Sequence, residues 1–390
     1  MSSYIVSFVR TPLGKFGKSL QPFSPSDLGA HVIRELINKT GMLGKDIDLV
    51  VMGNILKGGH GQDLSRQSLI KAGLPFTVDG YNVDMVCSSG MMSIINASQM
   101  VSLGDADIVI AGGIESMSNS NFIVSSKIRY GVKFSMKSDL FLTDSMYYDG
   151  LTDPINGMVM GEEADKVAKE HNIKREELDE IAYLSHKKAL DAQEKGYLKK
   201  EIAPITSGEG VVYNDEGIRP NLKLEDLYKL KPAFGKDGLH TAGSSSQISD
   251  GASALLIMNE NGLKKTGLKP IAKIIGYSWK GVESWRFTEA PAKAIDILLQ
   301  KTKINRKEID YIENNEAFAV SSILLEKDGF DRSITNVFGG AIALGHPIGA
   351  SGARITGTLI NVLQTKGGNL GIAALCHGTG GATSIAVQLI

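Results

Sequence analysis

The sequence has only two cysteines among its 390 residues, Cys87 and Cys376, so it lacks the material for a disulfide framework. It also lacks any hydrophobic run close to the roughly 20 residues that a membrane helix needs. The N-terminus passes from Met1 directly into a strand-like segment and does not show the order of a signal peptide. We therefore expect a cytoplasmic protein that does not engage a membrane.

An excess of charge of one sign is also missing. Forty-two Lys and Arg residues stand against 43 Asp and Glu residues, a formal net charge of −1, so no global positive field attracts nucleic acid. What the sequence does have is glycine, 44 residues of it. Because glycine allows a backbone to approach another backbone or a ligand closely, we expect glycine-rich segments to mark the functional site.

Apolar residues alternate between strand-like and helix-like segments in two stretches of the chain. In the first, we predict strands near 5–9, 48–53, 81–86 and 108–112 and helices near 27–38 and 88–103. After a strand near 252–258, the second has strands near 271–279, 309–313, 335–338, 371–375 and 383–389 and helices near 291–302, 317–327 and 351–364. This alternation predicts an α/β fold, a sheet covered by helices.

A different kind of region separates the two stretches. It begins with the polar stretch Ser116–Asp149 and continues with two charged helices near 161–170 and 176–194. We therefore predict an N-terminal half over 1–115, completed by about 250–269, an inserted domain over 116–249, and a C-terminal half over 270–390.

The two halves share a short piece of sequence. Residues 39–40 and 45–50 align without a gap on residues 301–302 and 307–312. Chance can produce such a match, but an internal duplication explains it better. A cleft between duplicated halves is a natural place for catalytic groups drawn from both.

Cys87 lies between a predicted strand and a predicted helix. Free N–H groups at a helix N-terminus favour a thiolate, which makes Cys87 a candidate nucleophile. The alternative is a small buried apolar residue, the commonest fate of a free cysteine.

His346 lies in Gly339–Arg354, a run of glycine, alanine and other small residues, and is a candidate base. The alternative is a structural histidine in a close-packed turn. The chain has neither a Gly-Lys-Ser/Thr phosphate loop nor a G-x-G-x-x-G turn after the first strand, so we discard nucleotide hydrolysis.

Cys376 also ends a predicted strand, beside glycines whose N–H groups could form an oxyanion hole. Asn315 follows the strand that parallels 48–53, where an amide can hold a water or polarise a carbonyl, or simply cap a turn. Zinc is not expected, because Cys87 is far from the other candidates and no C-x-x-C pair is present.

Taken together, these segments resemble the thiolase family over almost the whole chain. The resemblance rests on the following segments and residues: Arg10–Gly17, Gly61–Gln62, Arg66–Gln67, Lys231–Phe234, Thr241–Gly243, Ser246, Asp250–Ala252, Asn315–Ala319 and Gly339–Arg354 with Cys87. It implies duplicated five-stranded βαβαβαββ halves in a five-layer αβαβα arrangement. It also implies an inserted loop domain that binds coenzyme A and assists assembly as a homotetramer, with a homodimer as the alternative.

The resemblance also implies roles for individual residues. Cys87 would be the acylated nucleophile, His346 its base, and Cys376 the acid/base that moves the α-proton of the second thioester. Asn315 would position a water that forms one oxyanion hole with His346, and the N–H groups of Cys87 and Gly378 would form the other. The residues implied to contact substrate are Leu151, Met160, Arg219, Ser246, Ala317 and Phe318.

The activity implied is Claisen condensation of two acetyl-CoA molecules to acetoacetyl-CoA and CoA, and the reverse thiolysis, by a ping-pong route through acyl-Cys87. Coenzyme A thioesters would be substrates, and no cofactor or metal is expected. The alternatives are a degradative 3-ketoacyl-CoA thiolase of broader chain length and a non-catalytic acyl-CoA or lipid carrier. Cys376 argues against the related ketoacyl and hydroxymethylglutaryl synthases, which normally lack it.

Three departures from the family pattern stand near the expected site. The second cysteine is followed by His377, Gly378 and Thr379, where the family usually reads Cys-x-Gly-Gly-Gly. Val159 stands where short-chain members often carry histidine, and residues 285–287 replace a Met-Gly pattern. The segment 151–153 nevertheless favours the short-chain type.

Overall fold

A computed structural model of the chain describes residues 1–131, 141–208 and 210–390. Part of the predicted polar stretch Ser116–Asp149, at 132–140, lies outside the described residues. Among the described helices, none combines the length and the apolar composition that crossing a lipid bilayer would require.

The strands and helices that build the fold have the following bounds. The strands are β1 (Tyr4–Arg10), β2 (Gly14–Lys15), β3 (Leu49–Gly53), β4 (Asp79–Val83), β5 (Ile108–Ser116), β6 (Phe122–Val124), β7 (Leu142–Asp144), β8 (Ile205–Ser207), β9 (Gly210–Val212), β10 (Ser249–Met258), β11 (Ala272–Gly281), β12 (Tyr311–Asn314), β13 (Leu370–His377) and β14 (Gly381–Leu389). The helices are α1 (Pro25–Thr40), α2 (Leu64–Lys71), α3 (Ser89–Leu103), α4 (Met160–Glu170), α5 (Arg175–Glu194), α6 (Leu224–Tyr228), α7 (Glu260–Thr266), α8 (Ala290–Thr302), α9 (Ala319–Lys327), α10 (Ala341–Leu344) and α11 (Ser351–Lys366).

Local sequence signals set the ends of α1. Ser24 accepts a hydrogen bond from the Asp27 N–H and the Asp27 carboxylate accepts one from the Ser24 N–H, so two free donors of the first turn are satisfied. Pro25 occupies the first helical position, where its missing N–H costs nothing. Gly41 ends the helix with a φ of +67°, a conformation that glycine adopts without strain.

The first half of the chain forms a mixed sheet in the order β4-β3-β5-β10-β1. Strand β3 pairs in parallel with both β4 and β5, while β10 pairs antiparallel with β5 and β1. All nine residues of β5 are buried, as expected for a central strand covered on both faces.

The second half repeats this order as β12-β13-β14-β11, with β12 and β13 parallel and the other pairs antiparallel. The predicted strand at 335–338 is wrong: only Thr335 forms an isolated parallel bridge, to Ile312, in the place that β4 takes in the first half. Strand β1 pairs briefly with β11, so the described strands of both halves form one continuous sheet. The repeated order supports the internal duplication.

Helices cover and separate the two halves of the sheet in layers. Helix α1 packs against β10, β5, β1 and α2 on one outer side, and α8 packs against β11 and β14 on the other. Helices α3 and α11 pack against each other, and their buried residues share one core with strands from both halves. A Cβ on Gly352 of α11 would lie 2.3 Å from the Met91 backbone nitrogen of α3, so glycine permits this close approach.

The region between β5 and β10 contains the short hairpins β6-β7 and β8-β9 and the helices α4, α5 and α6. Helix α5 contacts α9 and α10 of the second half. Met160 and Val167 of α4 share a core with Phe287 and Val320. These contacts place the region against the second half of the chain. The three-part division of the chain predicted from the sequence remains our proposal.

Candidate active site

Cys87 lies in the short turn between β4 and α3. Val86, directly before it, has a φ of +48°, a strained conformation for a β-branched side chain. The Ser89 hydroxyl accepts a hydrogen bond from the Met85 N–H (2.8 Å) and donates one to the Val86 carbonyl (2.7 Å). These bonds close the turn and hold Cys87 at the N-terminus of α3.

Cys376 lies near the end of β13, in the other half of the sheet, yet both cysteines line the same cavity of about 460 Å³. The backbone N–H groups of Gly378 and of Cys87 itself lie near the Cys87 sulfur and act to lower the pKa of this thiol. Gly378 lines a second, neighbouring cavity of about 490 Å³ that also includes Met160. Folding therefore brings together two sulfurs that are far apart in sequence, together with the two N–H groups that sequence analysis proposed as an oxyanion hole.

His346 lies in the loop between α10 and α11 and lines the cavity with the cysteines. Its Nδ1 lies 2.6 Å from the Ser351 hydroxyl, which in turn donates to the Pro347 carbonyl at 2.9 Å. Because the single hydroxyl proton of Ser351 is used in this way, Nδ1 carries the ring proton and donates it to Ser351. The other ring nitrogen, Nε2, is left with a lone pair and can accept a proton.

Asn315 is fully buried behind His346 and does not line the cavity. Its Nδ2 is 3.4 Å from both ring nitrogens of His346. The Arg354 guanidinium donates to its Oδ1 at 3.4 Å, which directs the amide nitrogen toward the histidine. Sequence analysis did not identify Ser351 or Arg354, although both lie within the Gly339–Arg354 run.

Burial sets the protonation of the resting site. It raises the pKa of Cys87 to about 12, outweighing the opposing effect of the two N–H groups. It raises the pKa of Cys376 as well, and the neighbouring Cys87 adds to this rise. Burial, reinforced by the Arg354 charge, lowers the pKa of His346 to about 3. With these pKa values, both sulfurs are protonated in the free site beside a neutral imidazole.

The walls of the cavity include the six residues that sequence analysis proposed for substrate binding, namely Leu151, Met160, Arg219, Ser246, Ala317 and Phe318. Backbone pairing fixes two of the segments involved, because the Ser246 N–H donates to the Ala317 carbonyl at 2.9 Å. The Phe318 ring packs edge-on against Phe234 and Phe287, at 5.9 Å between ring centroids in each case. An apolar channel with a few polar groups results, a composition typical of small-molecule sites.

Further cavity residues were not predicted from the sequence, among them Lys15, Phe234, Gln247 and Ile348. Gln247 carries no motif signal, yet its carbonyl accepts the His346 N–H at 3.0 Å. Of the departures from the family pattern, Val159 lines the cavity, whereas Trp285 packs in the core that includes Met160 and Phe318. Among the described residues, no cluster of three or more His, Cys, Asp or Glu side chains is placed to hold a metal ion.

Comparison with protein families identifies the chain throughout its length. Residues 3–261 match the model of the thiolase N-terminal domain, and residues 268–389 match that of the thiolase C-terminal domain. The family predicted from the sequence is thereby confirmed.

Individual relatives give the same result. The chain is 52% identical to an acetyl-CoA acetyltransferase from Synechocystis sp., covering 99% of each chain, and 42% identical to a probable acetyl-CoA acyltransferase from Staphylococcus aureus strain COL, covering 97% of each. The crystal structure of the Bacillus anthracis acetyl-CoA acetyltransferase superposes with a TM-score of 0.95 at 37% identity, covering 100% of this chain and 99% of that one. That of the Acat5 thiolase from Ascaris suum in complex with coenzyme A superposes with a TM-score of 0.93 at 37% identity, covering 100% of both. The predicted fold class is confirmed.

Proposed function

Since this chain belongs to the thiolase family, we propose that it is an acetyl-CoA C-acetyltransferase, which condenses two acetyl-CoA molecules to acetoacetyl-CoA and CoA and catalyses the reverse thiolysis. The main observation that supports this proposal is that Cys87, Cys376 and His346 line the same cavity. A nucleophile, a base and a second proton carrier are the groups that such a reaction needs.

The first half-reaction transfers an acetyl group to Cys87. The Cys87 thiol gives its proton to His346 Nε2 while the sulfur attacks the thioester carbonyl, and the carbonyl oxygen acquires negative charge. The N–H groups of Cys87 and Gly378 receive that charge. The C–S bond to coenzyme A then breaks, and its sulfur leaves with the proton that His346 holds. Because the resting pKa values are so far apart, proton transfer accompanies the attack and does not precede it.

The second half-reaction forms the carbon–carbon bond. Cys376 gives its thiol proton to His346 Nε2 and, as a thiolate, takes a proton from the methyl group of a second acetyl-CoA. The resulting enolate oxygen is stabilised by the protonated Nε2 of His346 together with a water held by Asn315. The carbanion attacks the acetyl carbon on Cys87, and the Cys87 sulfur leaves with the proton that His346 holds, which restores the resting site. Thiolysis follows the same steps in reverse.

The cavity supports a coenzyme A thioester as the substrate. Arg219 offers a cation for the phosphates, while Leu151, Met160 and Phe318 offer apolar contacts to the acyl and pantetheine parts. The Ascaris suum relative was crystallised in complex with coenzyme A.

Two cysteine variants test the assignment of the half-reactions. When wild-type protein is mixed with acetoacetyl-CoA and CoA, the absorbance of the acetoacetyl-CoA enolate should decrease. Mass spectrometry should then find an acetyl group on Cys87. Cys87→Ala should abolish both signals. Cys376→Ala should still acquire the acetyl group from acetyl-CoA but should lose condensation, because only the proton carrier is gone. A Cys376→Ala protein that condenses at the wild-type rate would contradict the role of Cys376.

Chain length separates the proposed activity from that of a degradative thiolase. Val159, at a position where the chain departs from the short-chain pattern, lines the cavity beside Met160. Because the segment 151–153 favours the short-chain type, we nevertheless expect a higher kcat/KM for acetoacetyl-CoA than for longer 3-ketoacyl-CoA thioesters. The reverse order would replace the proposal with the degradative alternative, and no turnover of either would favour a carrier.

We also propose that the protein acts in the cytoplasm as a homotetramer, with the inserted region over 116–249 contributing to coenzyme A binding and to assembly. The β6-β7 hairpin exposes Phe122, Ile123, Val124 and Leu142, as an assembly surface would. No metal or cofactor takes part. Light scattering should give four times the 41.8 kDa mass of the chain, whereas twice that mass would indicate a dimer.

A further inference from the structure

The hairpin between β13 and β14 departs from the family pattern and carries Gly378. A Cβ on Gly378 would lie 3.4 Å from the side chain of Val86, directly before Cys87, and the Gly378 N–H acts on the Cys87 thiol. His377 pairs with Gly381 as the last pair of the ladder, so Gly378, Thr379 and Gly380 form a three-residue tip. Thr379 has a φ of +65°, which is costly for a β-branched residue and free for glycine. We therefore asked which contacts explain a threonine in this strained conformation next to the Gly378 N–H.

The contacts of the Gly378 carbonyl explain the conformation of Thr379. The His377 Nδ1 donates to this oxygen at 2.7 Å, and the Thr379 hydroxyl donates to it at 2.5 Å. The two residues that flank Gly378 therefore hold its carbonyl from both sides, in a tip that is too short for a ladder partner.

The rest of the tip is fixed by close backbone packing. The Gly380 carbonyl accepts from the Val282 N–H at 3.1 Å, and a Cβ on Gly380 would lie 2.6 Å from Ser284 Cα. A Cβ on Gly381 would lie 2.4 Å from the His377 ring, so the imidazole packs directly against the Gly381 backbone. The His377 side chain is also buried.

We propose that His377 and Thr379 are positioning residues that clamp the Gly378 carbonyl and so hold the Gly378 N–H on the oxyanion formed at Cys87. Gly378 has no side chain to restrict its φ and ψ, so rotation about its own bonds would turn its N–H away from the sulfur. Fixing the carbonyl on the far side of its Cα removes that freedom. This inference rests on the proposed function, since an oxyanion forms only in acyl transfer.

Paired variants at each position test the clamp. Thr379→Gly removes the hydroxyl but relieves the backbone strain, so the Tm should not fall while kcat for acetoacetyl-CoA thiolysis drops about tenfold, less than the roughly hundredfold that loss of an oxyanion donor costs. Thr379→Ser keeps the hydroxyl and should retain kcat within about twofold. His377→Phe should lower kcat about tenfold, and His377→Asn, whose amide can replace Nδ1, should restore most of it. KM should change little in all four, because the clamp acts on the transition state.

Lys303 provides a matched control. It ends the 13-residue helix α8 with a φ of +60°, at the helix end away from the Ser284 segment that packs on the hairpin tip. Lys303→Gly therefore relieves the same kind of strain and should leave kcat unchanged. If Thr379→Gly and His377→Phe both turn over within twofold of an active wild type, the clamp is refuted and the proposed function stands. An inactive wild type would instead refute the proposed function.

Hydrogen exchange at the Gly378 amide tests the clamp without reference to turnover. The clamp predicts faster exchange in Thr379→Gly and His377→Phe than in wild type, by about tenfold, and wild-type exchange in Thr379→Ser. Equal exchange in all variants would overturn the clamp whether or not the protein is active.

Discussion

At the scale of single residues, the catalytic groups are neutral at rest and are surrounded by fixed donors. Cys87 and Cys376 are protonated and His346 is unprotonated, so no buried ion pair has to be maintained in the free site. Charge appears only when a thioester carbonyl is attacked, next to N–H groups already in place. Such preorganised donors stabilise a transition state without reorganising at the moment of reaction.

Ser351 sets the tautomer of His346, and its removal tests that role. We expect Ser351→Ala to lower kcat about tenfold with KM nearly unchanged, because Nδ1 loses its acceptor and the ring can turn or change tautomer. Ser351→Thr retains the hydroxyl and should keep most of the activity. Steady-state kinetics on both variants measures the difference, and equal kcat for the two would contradict the tautomer argument.

The sequence identifies the groups with distinctive chemistry in this site but not the groups that hold them. Cys87, Cys376 and His346 stand out because cysteine and histidine are scarce and lie beside glycines. Ser351 and Gln247 have no such signal, since serine and glutamine occur everywhere. Ser351 bonds to His346 and Pro347 of its own loop, and the Gln247 carbonyl accepts from the backbone N–H of His346 in a distant segment. The pKa of Cys87 could not be predicted from the local helix N-terminus alone, because burial, which depends on the whole fold, outweighs it.

At the scale of elements, one buried carboxyl group joins three segments around the site. Glu115, near the end of β5, accepts hydrogen bonds from Asn54 Nδ2 (2.8 Å) and from the N–H groups of Ile55 (3.2 Å), Leu56 (3.1 Å) and Gly349 (2.8 Å). Gly349 belongs to the loop that carries His346. Glu115 therefore anchors the histidine loop to the strand ends of the first half.

Replacing Glu115 with glutamine should destabilise the protein. Ionised or protonated, Glu115 has two oxygens with lone pairs, whereas glutamine replaces one of them with an NH₂ group that cannot accept and faces N–H donors. About two hydrogen bonds are therefore lost and buried donors are left unpaired. We expect the free energy of unfolding to fall by about 2 kcal/mol, measured by urea denaturation. The control is Glu260→Gln at an exposed carboxylate that accepts from the Ser2 N–H, where we expect a change below about 0.5 kcal/mol.

Most elements could be predicted from periodicity, and the exceptions have a physical cause. The ten-residue strands β10 and β11 and the long helices carry enough apolar positions to show their period. The prediction of a strand at 335–338 is wrong because it relied on the strand propensity of its Val and Phe residues, whereas the chain makes only a single bridge there, at Thr335. The meeting of Cys87 with Cys376 follows from the packing of the halves, and no local pattern reports it.

At the scale of the whole molecule, the two halves meet through α3 and α11, whose approach depends on glycine. Gly352→Ala would place a Cβ 2.3 Å from the Met91 backbone nitrogen, where no flexible side chain can give way. We expect a loss of about 2–3 kcal/mol in the free energy of unfolding, since the helices must separate. Gly208→Ala, with nothing within 4 Å of the added Cβ, should be neutral in the same urea titration.

Buried charged side chains also pair between segments of the two halves and the inserted region. Arg10 of β1 binds Glu201 (2.7 Å) and Asp215 (2.6 Å), while Arg354 of α11 faces Glu313 of β12 at 3.9 Å. Two guanidinium groups thus face three carboxyl groups. Among the described residues, neither oxygen of Glu313 has a hydrogen-bond partner, so Glu313 is the group that gains most from a proton.

This charge balance predicts how stability varies with pH. Burial, reinforced by the nearby Glu201 and opposed by Arg354, raises the pKa of Glu313 from 4.5 to about 8, so the folded chain binds a proton more tightly than the unfolded chain. The stability that Glu313 contributes is present at low pH and is lost as pH rises toward 8. The histidines whose pKa burial lowers to about 3, His186 and His346, affect stability only below about their ordinary 6.5.

The window between about pH 6.5 and 8 therefore isolates the buried carboxyl groups. There we expect the free energy of unfolding to fall with rising pH, with Glu313 contributing up to about 1.4 kcal/mol per pH unit. Glu313→Gln cannot ionise and should show a correspondingly shallower fall, while Glu115, whose pKa burial also raises to about 8, keeps its own share of the slope. Urea titrations of both proteins across the window measure the difference. Parallel pH profiles would mean that Glu313 is already ionised in the folded protein, held by Arg354, and that the excess proton resides elsewhere in the network.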